Sequence, residues 1–249
     1  MTRSCVNRLL RIRFLSSSLW FILWVAPLFL WAEQKTGPER WEADIRAFEE
    51  KDRLQPPPKD AVLFVGSSSI RMWILGESFP RIKTINRGFG GSLIEDSVYY
   101  FDRLVLPYRP KLIVFYAGDN DIPAGKTPRK LLEDFKTFVK KVHTALPKTT
   151  ILFISIKPSI QRWAFVEKMR QANRLIRRAI QSDKRMRYVD IGTPMIGEDG
   201  KPRKELFLED GLHLNKEGYR LWTSILEPYL KTYQTDDSEK PKYRRRISA

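Results

Sequence analysis

The chain has 249 residues, 42% of them hydrophobic and 12% aromatic, with a net charge of +16. That is enough apolar material for one sizeable core and too little length to demand two domains. The single cysteine, Cys5, excludes an intrachain disulfide, and the basic balance comes without any groove-reading motif, so no nucleic-acid partner is implied.

Arg3, Arg8, Arg11 and Arg13 stand without an acid ahead of the run 19–32, which is apolar apart from Pro27. A basic start followed by such a run reads as an export signal, so residues 1–32 are expected to direct the protein to the periplasm or the exterior. Leu30 stands where a cleavage site wants a small residue, which leaves an uncleaved N-terminal membrane anchor as the alternative. Cys5 lies on the wrong side of the run for lipid attachment. Without residues 1–32 the charge is +12, a balance that suits association with an anionic membrane surface.

Trp41, Ile45 and Phe48 recur at helical spacing among charges, which predicts an amphipathic helix over 39–53, stopped by Pro56, Pro57 and Pro58. Residues 61–65 are an unbroken apolar strand, the pattern of a strand buried on both faces of a parallel sheet, and Gly66 ends it ahead of Ser67, Ser68 and Ser69. A serine on a tight strand-to-helix turn has the setting of a nucleophile; a serine-rich helix cap is the plainer reading. A short strand over 82–85 runs into a glycine-rich loop, 86–92, and a helix is expected over 94–104.

Residues 111–117 form a further apolar strand ending in Gly118-Asp119-Asn120-Asp121. A helix over 128–146, a strand over 151–156, a helix over 163–180, a strand over 187–191 and a helix over 215–230 complete the domain, 33–234. Five alternations of strand and helix argue for an open parallel sheet covered on both faces, whose ligands gather at the strands' carboxyl ends. The tail 235–249 is polar, closes on Lys240, Lys242, Arg244, Arg245 and Arg246, and reads as a disordered basic end.

The fourth polar stretch is Asp210-Gly211-Leu212-His213. A histidine activates a serine and a carboxylate holds its tautomer, so one turn could deliver both groups. The other histidine, His143, is expected to be an exposed residue in the last turn of its helix. No Cys, His and acid cluster has metal-ligand spacing, so no metal or cofactor is implied. Lys157, Arg162, Arg71 and Trp73 are candidates for the pocket wall.

Gly66-Ser67-Ser68, the loop 86–91, Gly118-Asp119-Asn120-Asp121 and Asp210-Gly211-Leu212-His213 together resemble the four blocks of the SGNH, or GDSL-type, esterases and lipases, in the branch related to platelet-activating-factor acetylhydrolase. The resemblance implies a three-layer, flavodoxin-like, five-stranded parallel sheet and an acyl hydrolase cutting short acyl esters of a small molecule, lipid or glycan. It implies that Ser68 attacks, His213 moves the proton and Asp210 orients the ring. It also implies an oxyanion hole made by the N–H groups of Ser68 and Gly91 and the amide of Asn120. Ser67 departs from the pattern, since the family generally has aspartate there; its hydroxyl is expected to be tied into the loop. Ser69 is expected to cap the following helix or pack on the sheet. The missing second glycine after Ser68 argues against an α/β-hydrolase elbow. The rival readings are a non-catalytic envelope-binding module, an acyltransferase on the same site, and a phosphate- or dinucleotide-binding protein, the last lacking the required glycine spacing.

Overall fold

The computed structural model describes residues 37–234; the leader 1–32 and the tail 235–249 lie outside the described residues. Val62–Gly66 (β1), Thr84–Gly88 (β2), Leu112–Tyr116 (β3), Thr150–Ile154 (β4) and Met186–Val189 (β5) pair in parallel, in the order β2-β1-β3-β4-β5. This is the flavodoxin-like order, with its switch point between β1 and β3. Every residue of β1 and β3 is buried, which is why these strands read as unbroken apolar runs instead of alternating.

The period of two divides each strand between two cores. Leu63, Val65, Ile113 and Phe115 face the core completed by Glu42–Leu54 (α1), Ile94–Tyr99 (α4), Phe101–Leu104 (α5), Pro128–Ala145 (α6) and Val166–Ile180 (α7). Val62, Phe64, Val114 and Tyr116 face the other, completed by Ser68–Arg71 (α2), Leu75–Ser78 (α3) and Lys216–Leu230 (α8). Trp73, expected in a pocket wall, belongs to this second core: it is 2% exposed, lies within 6 Å of Phe64, Phe79, Tyr219 and Trp222, and donates to Ser78 Oγ at 2.8 Å. Packing this aromatic cluster fixes α8 against the turn that carries Ser68, and the Tyr219 hydroxyl donates to Ser69 O at 2.9 Å.

Three expectations need correction. β2 continues through Asn86, Arg87 and Gly88, because the glycine loop begins only after pairing with β1 ends at Gly66↔Gly88. Asn86 is spent on structure, donating to Ile70 O at 2.7 Å and accepting from Gly88 N at 2.9 Å. The helix over 94–104 is two short helices that break at Tyr100, which turns its ring into the core and its hydroxyl to Pro38 O at 3.1 Å. His143 is enclosed rather than exposed: the chain folds back so that Nε2 meets Thr149 O at 3.2 Å while Nδ1 lies 3.7 Å from Asp183, and burial lowers its pKa.

Candidate active site

β1 ends at Gly66 because no side chain fits there: a Cβ would lie 1.8 Å from the carbonyl oxygen of Tyr116 on the neighbouring strand. The chain turns at once into α2, whose first residue is Ser68. Its N–H is one of the first-turn donors that a helix leaves without an internal acceptor. Ser68 is 8% exposed.

Although 145 residues separate them in sequence, His213 Nε2 lies 3.1 Å from Ser68 Oγ. On the other side of the ring, Nδ1 lies 2.6 Å from Asp210 Oδ2, while Asp210 Oδ1 accepts the N–H groups of Leu212 and His213, each at 2.9 Å. A carboxylate only accepts, so Nδ1 carries the hydrogen and the Nε2 lone pair faces the serine hydroxyl. Partial burial alone would raise the Asp210 carboxyl, but the ring and the two N–H groups outweigh it and hold it at about 2. The turn is braced from outside by Leu208 N–H to His213 O at 2.8 Å and by Asn215, whose side chain caps α8 at Gly218 N.

Of the three adjacent serines only Ser68 meets the histidine. Ser67 Oγ contacts Asp119 Oδ1 at 3.4 Å, as its expected tie into the loop requires. Ser69 Oγ is buried without a hydrogen-bond partner, so it packs and caps nothing.

Gly91 sits in the left-handed region, φ 79°, in the loop after β2. Asn120, in the loop after β3, donates Nδ2 to Ser92 O at 3.0 Å, which ties these two loops together. Beneath it lies a charged cluster that the sequence reading missed as a unit. Lys157, expected in the pocket wall, is 1% exposed and donates to Asp119 Oδ2 at 2.7 Å and to the Tyr116 hydroxyl at 3.2 Å. Burial works to raise the Asp119 carboxyl, but Lys157 and Arg162 outweigh it and hold it below the ordinary carboxylate range. Arg162 donates to Asp119 O and, at 2.8 Å, to Asn120 Oδ1. The available signal was a lysine just behind the largely apolar stretch 151–156, which must find an acid if it is to be buried. The Arg71 guanidinium lies against Gly90, in the loop after β2. Among the described residues no cluster of His, Cys, Asp and Glu could hold a metal ion.

The model of the GDSL-like lipase/acylhydrolase family matches residues 66–221, from the end of β1 through the turn bearing His213 and into α8. The chain belongs to that family. As a GDSL-type acylhydrolase it acts on ester bonds. The human platelet-activating factor acetylhydrolase IB subunit alpha1 is 26% identical over 190 residues, 74% of this chain and 79% of that protein. A Streptococcus pneumonia structure described as a platelet activating factor superposes with a TM-score of 0.70 at 22% identity, covering 77% of this chain and 93% of the other. A GDSL-like lipase from Bacteroides thetaiotaomicron gives 0.67 at 19%, covering 76% and 98%. At such identities the two structures share the fold with this GDSL-type chain.

Proposed function

We propose that this acylhydrolase is an exported serine esterase that removes short acyl groups through Ser68, His213 and Asp210. The observation that carries the proposal is the continuous relay Asp210, His213, Ser68, with contacts of 2.6 Å and 3.1 Å. Ser68 Oγ attacks the ester carbonyl carbon as its proton passes to His213 Nε2, and the carbonyl oxygen becomes an oxyanion. The N–H groups of Ser68 and Gly91 and the second amide hydrogen of Asn120 receive that charge. When the carbonyl re-forms, the alkoxide leaves with the proton from His213, and an acyl group remains on Ser68. Water then repeats the sequence: His213 takes its proton, the hydroxide attacks, and Ser68 Oγ departs with that proton, releasing a carboxylic acid.

The slight exposure of Ser68 supports a small acyl group, since a long chain would need a channel to a nearly covered hydroxyl. The alcohol portion, belonging to a lipid or a glycan, stays on the open side. Export rests on the basic and apolar leader, and the charge of +12 on the remainder supports residence at an anionic envelope surface.

A fluorophosphonate probe should label Ser68 alone, and the label should vanish in Ser68→Ala and His213→Ala. A label mapped to Ser67 or Ser69 would sink the assignment. With p-nitrophenyl esters of increasing length, turnover should be fastest for acetyl and butyryl, and equal rates on long chains would contradict the short-acyl reading. Fractionation of the host should find the protein outside the cytoplasm, and release of the bound fraction by salt would identify the surface contact as electrostatic.

A further inference from the structure

We propose that Arg162 is a positioning residue that locks the Asn120 amide in the one orientation able to serve the oxyanion, an inference that rests on the esterase reading above. An asparagine amide has two orientations that occupy almost the same space but exchange donor and acceptor. Only one turns NH2 toward developing negative charge; the other turns oxygen toward it and repels it. Arg162 decides between them because a guanidinium has donors and no acceptor. With Nη2 2.8 Å from Oδ1, the Asn120 oxygen is committed to the arginine, and Nδ2 must face Ser92 O, 3.0 Å away, and the cleft. The reversed amide would set NH2 against the guanidinium and oxygen against the carbonyl of Ser92.

The lock is itself immobilised. The Arg162 side chain is 16% exposed, its Nη1 donates to Asp119 O, and it lies 3.6 Å from Asp119 Oδ2, the oxygen that Lys157 holds from the other side. One fork of the guanidinium thus grips the backbone of Asp119 and the other the side chain of its neighbour, a two-point geometry that a lysine ammonium cannot reproduce. A cation bonded to Oδ1 also draws electron density from the amide nitrogen, which makes its hydrogens better donors. Such strengthening grows along a chain of bonds in a low-dielectric site. The preceding residue carries the second half of the device: Gln161 N–H donates to Gly211 O at 3.0 Å, inside the turn that presents His213. Two consecutive residues after β4 therefore hold the oxyanion amide and the base in one frame.

The test is a double-mutant cycle on Arg162 and Asn120, with steady-state ester turnover, the rate of fluorophosphonate labelling and melting temperature as readouts. Losing one oxyanion donor costs about 100 to 1,000-fold in kcat, and Arg162→Ala should lose at least about tenfold, bounded by the Asn120→Ala loss, with KM nearly unchanged. In the Asn120→Ala background the same Arg162→Ala change should cost less than about twofold, because there is no amide left to orient. Arg162→Lys, which keeps charge and stem but loses the fork, should fall between wild type and Arg162→Ala and serves as the folded variant if the alanine protein melts early. Equal fold-losses from Arg162→Ala in both backgrounds, or an Arg162→Ala protein of wild-type kcat, would overturn the proposal while leaving Ser68 and His213 in place. An active wild type indifferent to Asn120→Ala would overturn it as well. A wild-type protein that neither cleaves esters nor takes the probe would instead overturn the esterase reading, and this inference with it.

Discussion

Replacing Lys157 by methionine keeps the length and shape of the side chain and removes its charge from a site that is 1% exposed. Asp119, 3% exposed, then keeps a buried carboxylate whose principal partner, at 2.7 Å, is gone. At an effective dielectric near 20, a contact of that length is worth about 6 kcal/mol of direct attraction, most of which had offset the cost of removing both charges from water. Breaking one side of a buried pair typically costs about 3 to 5 kcal/mol. Arg162 still lies 3.6 Å from the same oxygen, so the lower end, about 3 kcal/mol, is the expected loss. For a domain of this size it should lower Tm by about 6 to 12 °C, read by calorimetry or circular dichroism at neutral pH. The double variant Asp119→Asn with Lys157→Met should recover part of that loss, because the orphaned charge is removed too. A Lys157→Met protein that melts with wild type, or a double variant less stable than the single one, would refute the claim that this pair holds the loop of Asn120.

Asp121 provides the pH test. Burial is the main cause that pushes its carboxyl up to about 7, with Lys126 opposing from 3.6 Å. An acid raised in the folded state stabilises the fold below its unfolded value of about 4 and loses that contribution as pH rises through about 7, a span corresponding to at most about 4 kcal/mol. This contribution makes Tm fall between about pH 4 and pH 8, against the opposite one of His143, and Asp121→Asn, whose oxygen can still accept from Ile94 N, should remove it; a Tm profile parallel to that of wild type would count against it. Asp210→Asn should leave Tm nearly unchanged, since its side chain is 42% exposed, while turnover falls by about ten-thousandfold, the cost known for the corresponding change in a serine protease triad. Retention of more than a tenth of the activity would remove Asp210 from the relay. Gly66→Ala should fail to give folded protein, because its Cβ would lie 1.8 Å from backbone on β3 that cannot yield, and soluble protein of near-native Tm would show that β1 can shift.

The strands β1 and β3 were legible to within one residue at each end because burial on both faces demands an unbroken apolar run, and that demand is local. Three of the four polar blocks were legible for a related reason: a parallel sheet places its loops at one edge, so polar residues at the carboxyl ends of strands share a neighbourhood, whereas the fourth, 210–213, lies well beyond β5 and just ahead of α8. Local pattern could not show the break at Tyr100, whose hydroxyl reaches Pro38 O and Glu42 at the start of α1, nor the enclosure of His143, which depends on Asp183 arriving from beyond α7. Nor could it choose among three serines by contact, since the 3.1 Å between Ser68 and His213 is set by the order β2-β1-β3-β4-β5 and by the aromatic packing that seats α8. The pairing within the Lys157, Asp119, Arg162 and Asn120 cluster belongs to the tertiary level. Asp119 and Asn120 share the loop after β3, Lys157 and Arg162 the loop after β4, and only the adjacency of these strands brings the two cations to the carboxylate and the amide. Periodicity and propensity act over a few residues, so they determine elements and edges, whereas partners in a buried polar network are selected by three-dimensional proximity and by the cost of leaving any one of them unpaired.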